Sequence, residues 1–172
     1  MYWDADGGRQ DFYYVDQWGP EYEADLAIKY IESRKGSGQP FAMMVSMNPP
    51  HTGYELVPDK YKALYKGLDV DSVIAGMPHL KDAGSNYVKL FRRSLANYYA
   101  CISGVDEQFG RIIQALKRNG LFDNTIVVFV SDHGDSMGMH ENIGKNIFYE
   151  EAVRVPFLIS WGKELAPRMD ND

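Results

Sequence analysis

Apolar side chains recur at gaps of three and four along residues 85–119, where Leu95, Tyr99, Ile102, Val105, Phe109, Ile112 and Leu116 fall on one helical face. Gly120 ends this long helix. Gly104 inside it either kinks the helix or lets a neighbour pack close. A shorter stripe of Leu26, Ala27, Tyr30 and Ile31 predicts a helix over residues 21–35. Its acidic residues lie at the front and Arg34 and Lys35 at the back, which suits the helix dipole. Gly36 and Gly38 then stop it.

Three apolar runs have the length and flanks of strands instead: residues 41–47 (FAMMVSM), 125–131 (TIVVFVS) and 155–160 (VPFLIS). Continuous apolar runs of this size suit strands buried on both faces, and the first two are expected to lie in a parallel sheet. Residues 1–20 form an irregular lead-in, and residues 52–84 are polar with one helical turn over 58–65. Residues 132–145 make a Gly-rich loop, residues 146–151 a helical turn, and residues 163–172 a polar tail. Helices alternating with strands in this order give an α/β class with crossover helices, and residues 1–172 read as a single domain.

Composition narrows the function classes. A chain of 172 residues, 45% apolar, can bury a sizeable core and is not disordered. A net charge of −6 excludes a broad nucleic-acid surface, so any anion site must be a local pocket of metal, Lys and His. Cys101 is the single cysteine, which excludes an internal disulfide and a Cys-based zinc cage. Its place among Tyr98, Tyr99 and Ile102 on the long helix makes it a small core residue. No apolar run reaches the roughly 18 residues of a membrane span. The first residues lack the basic and apolar segments of a secretory leader.

In open α/β sheets, ligands gather where strands end. Two predicted strands end in chemically useful loops, one carrying His51 and the other running from Asp132 and His133 to Lys145. Asp132 and His133 together can hold a divalent ion, with Gly134 expected to turn the chain sharply behind them. The dipeptide alone is better accounted for by a capping carboxylate and a locally bonded imidazole. Lys145 can neutralise an oxyanion or lie on the surface. His51 can protonate a leaving group or be solvated, and His140 carries the same two readings. His79 has nothing in its surroundings to single it out, and Glu150, Glu151 and Arg154 read as a structural ion-pair set.

Taken together, these segments resemble a known family. Residues 125–134, Met137-Gly-Met-His140, Gly144-Lys145, Phe148-Tyr-Glu-Glu151 and residues 154–159 look like the second half of a sulfatase domain, of the arylsulfatase-like branch of the alkaline phosphatase superfamily. Residues 40–51 resemble that family's strand and Pro-His segment, and residues 99–120 its long helix. The resemblance implies a partial alkaline-phosphatase-like sandwich, with a mostly parallel sheet, flanking helices and the first strands missing. It implies a sulfuric ester hydrolase acting on a small-molecule or glycan sulfate ester. Asp132 and His133 would be metal ligands, Lys145 and His51 would bind sulfate and act in catalysis, and His140 would stand behind the metal ligands. The ion would be calcium or magnesium in the sulfatases, and manganese or another transition ion in some relatives.

Sulfatases also use a formylglycine made in a Cys/Ser-x-Pro-x-Arg context. Cys101 is followed by Ile102, Ser103, Gly104 and Val105, so that residue is expected in a longer parent and this chain alone is expected to be inactive. The parent would be periplasmic, secreted or lysosomal, and exposed sheet edges would favour self-association. Two other readings are a phosphonate monoester or phosphodiester hydrolase of the same superfamily, and a non-catalytic binding domain.

Overall fold

The structure is a computed structural model that describes residues 2–3, 12–80 and 84–169. The two helices expected from periodicity are its frame. α1 (Gly19–Arg34) starts two residues ahead of the expected boundary, because Pro20 is tolerated in the first turn. α4 (Asn86–Arg118) has 33 residues, a rod of roughly 50 Å. Ser85 caps it by accepting a hydrogen bond from the Val88 backbone N–H at 3.2 Å, and Lys117 and Arg118 sit in its last turn. Between them lie α2 (Asp59–Lys62) and α3 (Val70–Ala75), with single 3₁₀ turns at Tyr54–Leu56 and Ala63–Tyr65. The stretch expected to hold one helical turn therefore holds several short ones.

Three apolar clusters share α4 as a common wall. Near its C-terminal end, Ile112, Ala115 and Leu116 meet Ala24, Ala27 and Ile31 of α1. At its middle, Ala100 and Cys101 meet Val57 and Tyr61. Towards its N-terminal end, Val88, Phe91 and Leu95 meet Leu80 and Met137. Gly104 is required for close approach, not for a kink: a β-carbon there would lie 2.5 Å from the Trp18 ring. Gln108 is fully buried and donates to the Tyr61 hydroxyl at 2.8 Å, while its carbonyl accepts from Arg111 at 2.6 Å. Arg111 continues the chain of contacts to Asp25 of α1.

The sheet departs from expectation. Among the described residues, β3 (Ile126–Val130) pairs with β4 (Phe157–Trp161), and the pairing is antiparallel, Ile126 opposite Trp161 and Val130 opposite Phe157. The expected parallel sheet is absent from these residues. Residues 41–47, expected to be a strand, form no regular element and have no ladder partner among the described residues. Phe41, Val45 and Met47 nonetheless turn inward onto the α1–α4 cluster, where Val127 of β3 also packs. An apolar run records burial, not strand direction, so the orientation of β4 could not be read from composition.

β3 is covered on one face only. Phe129 packs against Phe109 of α4 with ring centroids 5.0 Å apart, whereas Ile126, Val128 and Val130 on the other face are exposed, as is all of β4. A further two-residue pair, β1 (Tyr2–Trp3) with β2 (Phe12–Tyr13), occurs in the lead-in. The end of the polar tail, residues 170–172, lies outside the described residues. α5 (Glu150–Val153) completes the fold, slightly later than the helical turn expected at 146–151.

Candidate functional site

β3 delivers the chain directly into Asp132 and His133. His133 Nδ1 lies 2.7 Å from the Gly134 carbonyl oxygen. A carbonyl can only accept, so Nδ1 carries a proton, and in the neutral ring Nε2 then keeps its lone pair. Nε2 in turn lies 3.2 Å from Asp132 Oδ2, and Asp132 Oδ1 accepts from the His133 backbone N–H at 3.0 Å. One imidazole lone pair and one carboxylate oxygen thus face the same point, with the other imidazole nitrogen held by a backbone carbonyl, the usual bracing of a metal-binding histidine. Asp132 is 83% exposed and open to a ligand. Slight burial raises its pKa. The hydrogen bond from the His133 N–H and the charge of Lys145 act against that, and the carboxyl is held below its usual value.

Gly134 has a different role from the one expected. Its φ is not positive, so it makes no left-handed turn. A β-carbon there would lie 1.9 Å from the Glu151 carbonyl oxygen, and Gly134 N–H donates to the Ala152 carbonyl at 2.8 Å. The glycine lets α5 press against the backbone just behind the Asp-His pair.

The loop then closes on itself. The Ser136 backbone N–H and hydroxyl both donate to the Gly144 carbonyl, at 2.9 and 2.7 Å, and Ser136 is fully buried. This latch fixes the residue next to Lys145, whose charge is felt at Asp132. Asp135 accepts from the Met137 N–H at 2.8 Å. Burial, and then the charge of Asp135, raise the hydroxyl pKa of Tyr54 to about 12 and that of Tyr98 upward as well. Met137, His140 and Glu141 all hold left-handed backbone conformations with φ of 46°, 56° and 55°. Each such non-glycine residue costs on the order of 1–3 kcal/mol, so the surrounding contacts must fix the loop tightly.

Of the residues singled out from the sequence, Asp132, His133 and Lys145 share one electrostatic neighbourhood. His51 stands in the turn after residues 41–47, where its N–H donates to the Asn48 carbonyl at 3.1 Å and its Nδ1 meets Thr52 Oγ1 at 3.0 Å. Among the described residues it makes no hydrogen bond or ion pair to the other three. His140 Nε2 lies 3.2 and 3.3 Å from the two carboxylate oxygens of Glu151. Its ring is stacked between His79, at 4.1 Å, and Tyr149, at 3.7 Å. Glu151 therefore belongs with His140, and only Glu150 pairs with Arg154, at 3.7 Å. His79 is not legible in the sequence. Its partner lies about sixty residues away and no local pattern marks it.

Comparison with known proteins identifies the family. The sulfatase family profile matches residues 4–172. The chain is 35% identical to an endo-4-O-sulfatase of Bacteroides thetaiotaomicron, over 99% of the chain and 33% of that protein. It is 32% identical to a ulvan-active sulfatase of Formosa agariphila, over 91% of the chain and 30% of that protein. The crystal structure of the sulfatase-family protein yidJ from Bacteroides fragilis superposes with a TM-score of 0.95 at 60% identity, over 98% of the chain and 36% of that structure. The chain belongs to the sulfatase family, whose members are sulfuric ester hydrolases of alkaline-phosphatase-like fold that generally use a metal and a formylglycine. It spans about a third of the length of the relatives it matches.

Proposed function

We propose that this chain supplies part of the metal-binding and sulfate-binding side of a sulfate-ester hydrolase. The observation that carries this reading is the Asp132–His133 pair: two donor atoms 3.2 Å apart, the imidazole tautomer fixed by Gly134, and the charge of Lys145 close enough to act on Asp132. Asp132 and His133 fit part of a divalent-cation site: calcium, the ion the family resemblance implies, or magnesium would need further oxygen ligands from the rest of the polypeptide, while manganese accepts the mixed pair more readily. Such a cation, when bound, polarises the sulfate oxygens and stabilises negative charge.

The chain's own residues do the rest. Lys145 neutralises a second sulfate oxygen as a point charge, and the Ser136–Gly144 latch keeps its backbone in place. His51 binds the sulfate from the other loop and holds a proton for the departing alcohol. His140 braces the loop from behind through Glu151. The nucleophile, a formylglycine, comes from outside these 172 residues, since no Cys/Ser-x-Pro-x-Arg occurs in them. The substrate is a sulfate ester on a glycan or small molecule. The exposed apolar faces of β3 and β4 favour self-association of the isolated chain, which sedimentation would register as oligomers.

The test is an assay of the full polypeptide with aryl sulfate and aryl phosphonate esters side by side. Lys145→Ala and His51→Ala should each lower kcat/KM for sulfate by about a hundredfold or more. Unchanged sulfate turnover in both variants, or faster turnover of the phosphonate ester by the unmodified enzyme, overturns the reading.

A further inference from the structure

Apart from Asp132 and His133, another set of metal-type donors converges. His79 lies in the segment after α3, His140 in the loop that leaves β3, and Glu151 at the start of α5. One ligand atom from each lies within 4.8 Å of the others. The three segments are already in contact, since the His140 N–H donates to the His79 carbonyl at 3.2 Å. Tyr149 stacks on the opposite face of the His140 ring at an interplanar angle of 10°, which fixes the plane in which that imidazole presents its nitrogens.

The separations are compatible with a ligand set. A charge-assisted N–H···O bond is about 2.7–2.9 Å long. His140 Nε2 lies 3.2 and 3.3 Å from the Glu151 oxygens. Two donors bound to one ion at about 2.1 Å and a tetrahedral angle are roughly 3.4 Å apart. The His140–Glu151 separations lie close to that ligand spacing, and they also fit a hydrogen bond. Both residues are largely buried, whereas His79 is exposed. Two imidazoles and a carboxylate form a zinc-type donor set that leaves a fourth position for water.

We propose that His79, His140 and Glu151 form a zinc site separate from Asp132 and His133. The ion fastens the loop carrying Lys145 to α5 and to the segment after α3. It accounts for the left-handed backbone of His140, which places that ring between its two stacking partners.

The test uses the full polypeptide, stripped of metal, in a background of Asp132→Asn with His133→Ala that silences the other pair. Zn²⁺ is titrated in competition with a chromophoric chelator. One equivalent should bind in this background. Affinity should fall at least about tenfold in His79→Ala and in Glu151→Gln. His79→Ala alters an exposed side chain and leaves the fold intact, so it stays informative if a His140 variant fails to fold. Co²⁺ in place of zinc should give d–d bands that Glu151→Gln abolishes. No bound equivalent in the background protein, or unchanged affinity in both variants, overturns the proposal.

Discussion

The backbone of Gly134 and the carbonyl of Glu151 approach so closely that a β-carbon on the former would lie 1.9 Å from the latter. Helix α5 and the end of β3 are thereby held together just behind Asp132 and His133. The obstacle to a side chain is backbone, which cannot swing aside as a flexible side chain would. Gly134→Ala should therefore displace the loop or α5 and cost about 3 kcal/mol, the upper end for overpacking. Urea unfolding would measure the loss, and sulfate turnover by the full polypeptide should fall with it.

The metal site offers a prediction about number. Calcium takes six to eight oxygen ligands. This chain brings one carboxylate and one imidazole to the Asp132–His133 site. The isolated 172-residue chain should bind Ca²⁺ weakly by calorimetry, with no saturation at micromolar concentrations. In the full polypeptide, Asp132→Asn should weaken Ca²⁺ binding by roughly tenfold or more.

Cys101 should be chemically silent. Burial, and then the charge of Glu55, push its thiol up to about 11, against a partial lowering by Lys62. At pH 8 the folded chain should react with Ellman's reagent only on the timescale of unfolding, and at once in urea. The pKa is raised on folding, so the protonated thiol is favoured in the folded state. Its contribution to stability is complete below the unfolded value near 9 and is lost as pH rises through about 11.

Gln108 joins α4 to the turn beneath it. Replacing it with Leu removes the bonds to Tyr61 and Arg111 while keeping most of the volume. The cost should be about 1–3 kcal/mol, because polar partners are left short of a bond inside the core. The Asp25–Arg111 contact adds a pH signature: hydrogen bonds from Gln17 and then Arg111 hold the Asp25 carboxyl below its usual value. The stability it confers is present above that usual value and declines as pH falls through the lowered one. Denaturant midpoints across acid pH, compared with Asp25→Asn, would show it.

The parts legible in the sequence were those set by short-range periodicity. α4 and α1 followed from apolar gaps of three and four, and β3 from a β-branched run. Asp132, His133 and Lys145 were marked by a motif spanning fourteen residues. What stayed hidden depends on long-range pairing. The antiparallel direction of β4 is fixed by its partner strand, and the several short helices around residues 54–75 each last a turn or two, too short for a periodic signal. Phe41, Val45 and Met47 show burial without a ladder, since an apolar segment can pack on helices as well as on strands. His79 and Glu151 become chemical neighbours of His140 only after three segments fold onto one another.

The single wall provided by α4 has a dynamic consequence. Because Ile112, Ala100 and Phe91 each anchor a different cluster on the same helix, no layer can open without baring part of that rod. Its central amides should therefore be the slowest in the chain to exchange with deuterium, at a common rate from one end to the other. Loops that carry the chemistry can loosen individually. The rod beneath them yields only when everything does.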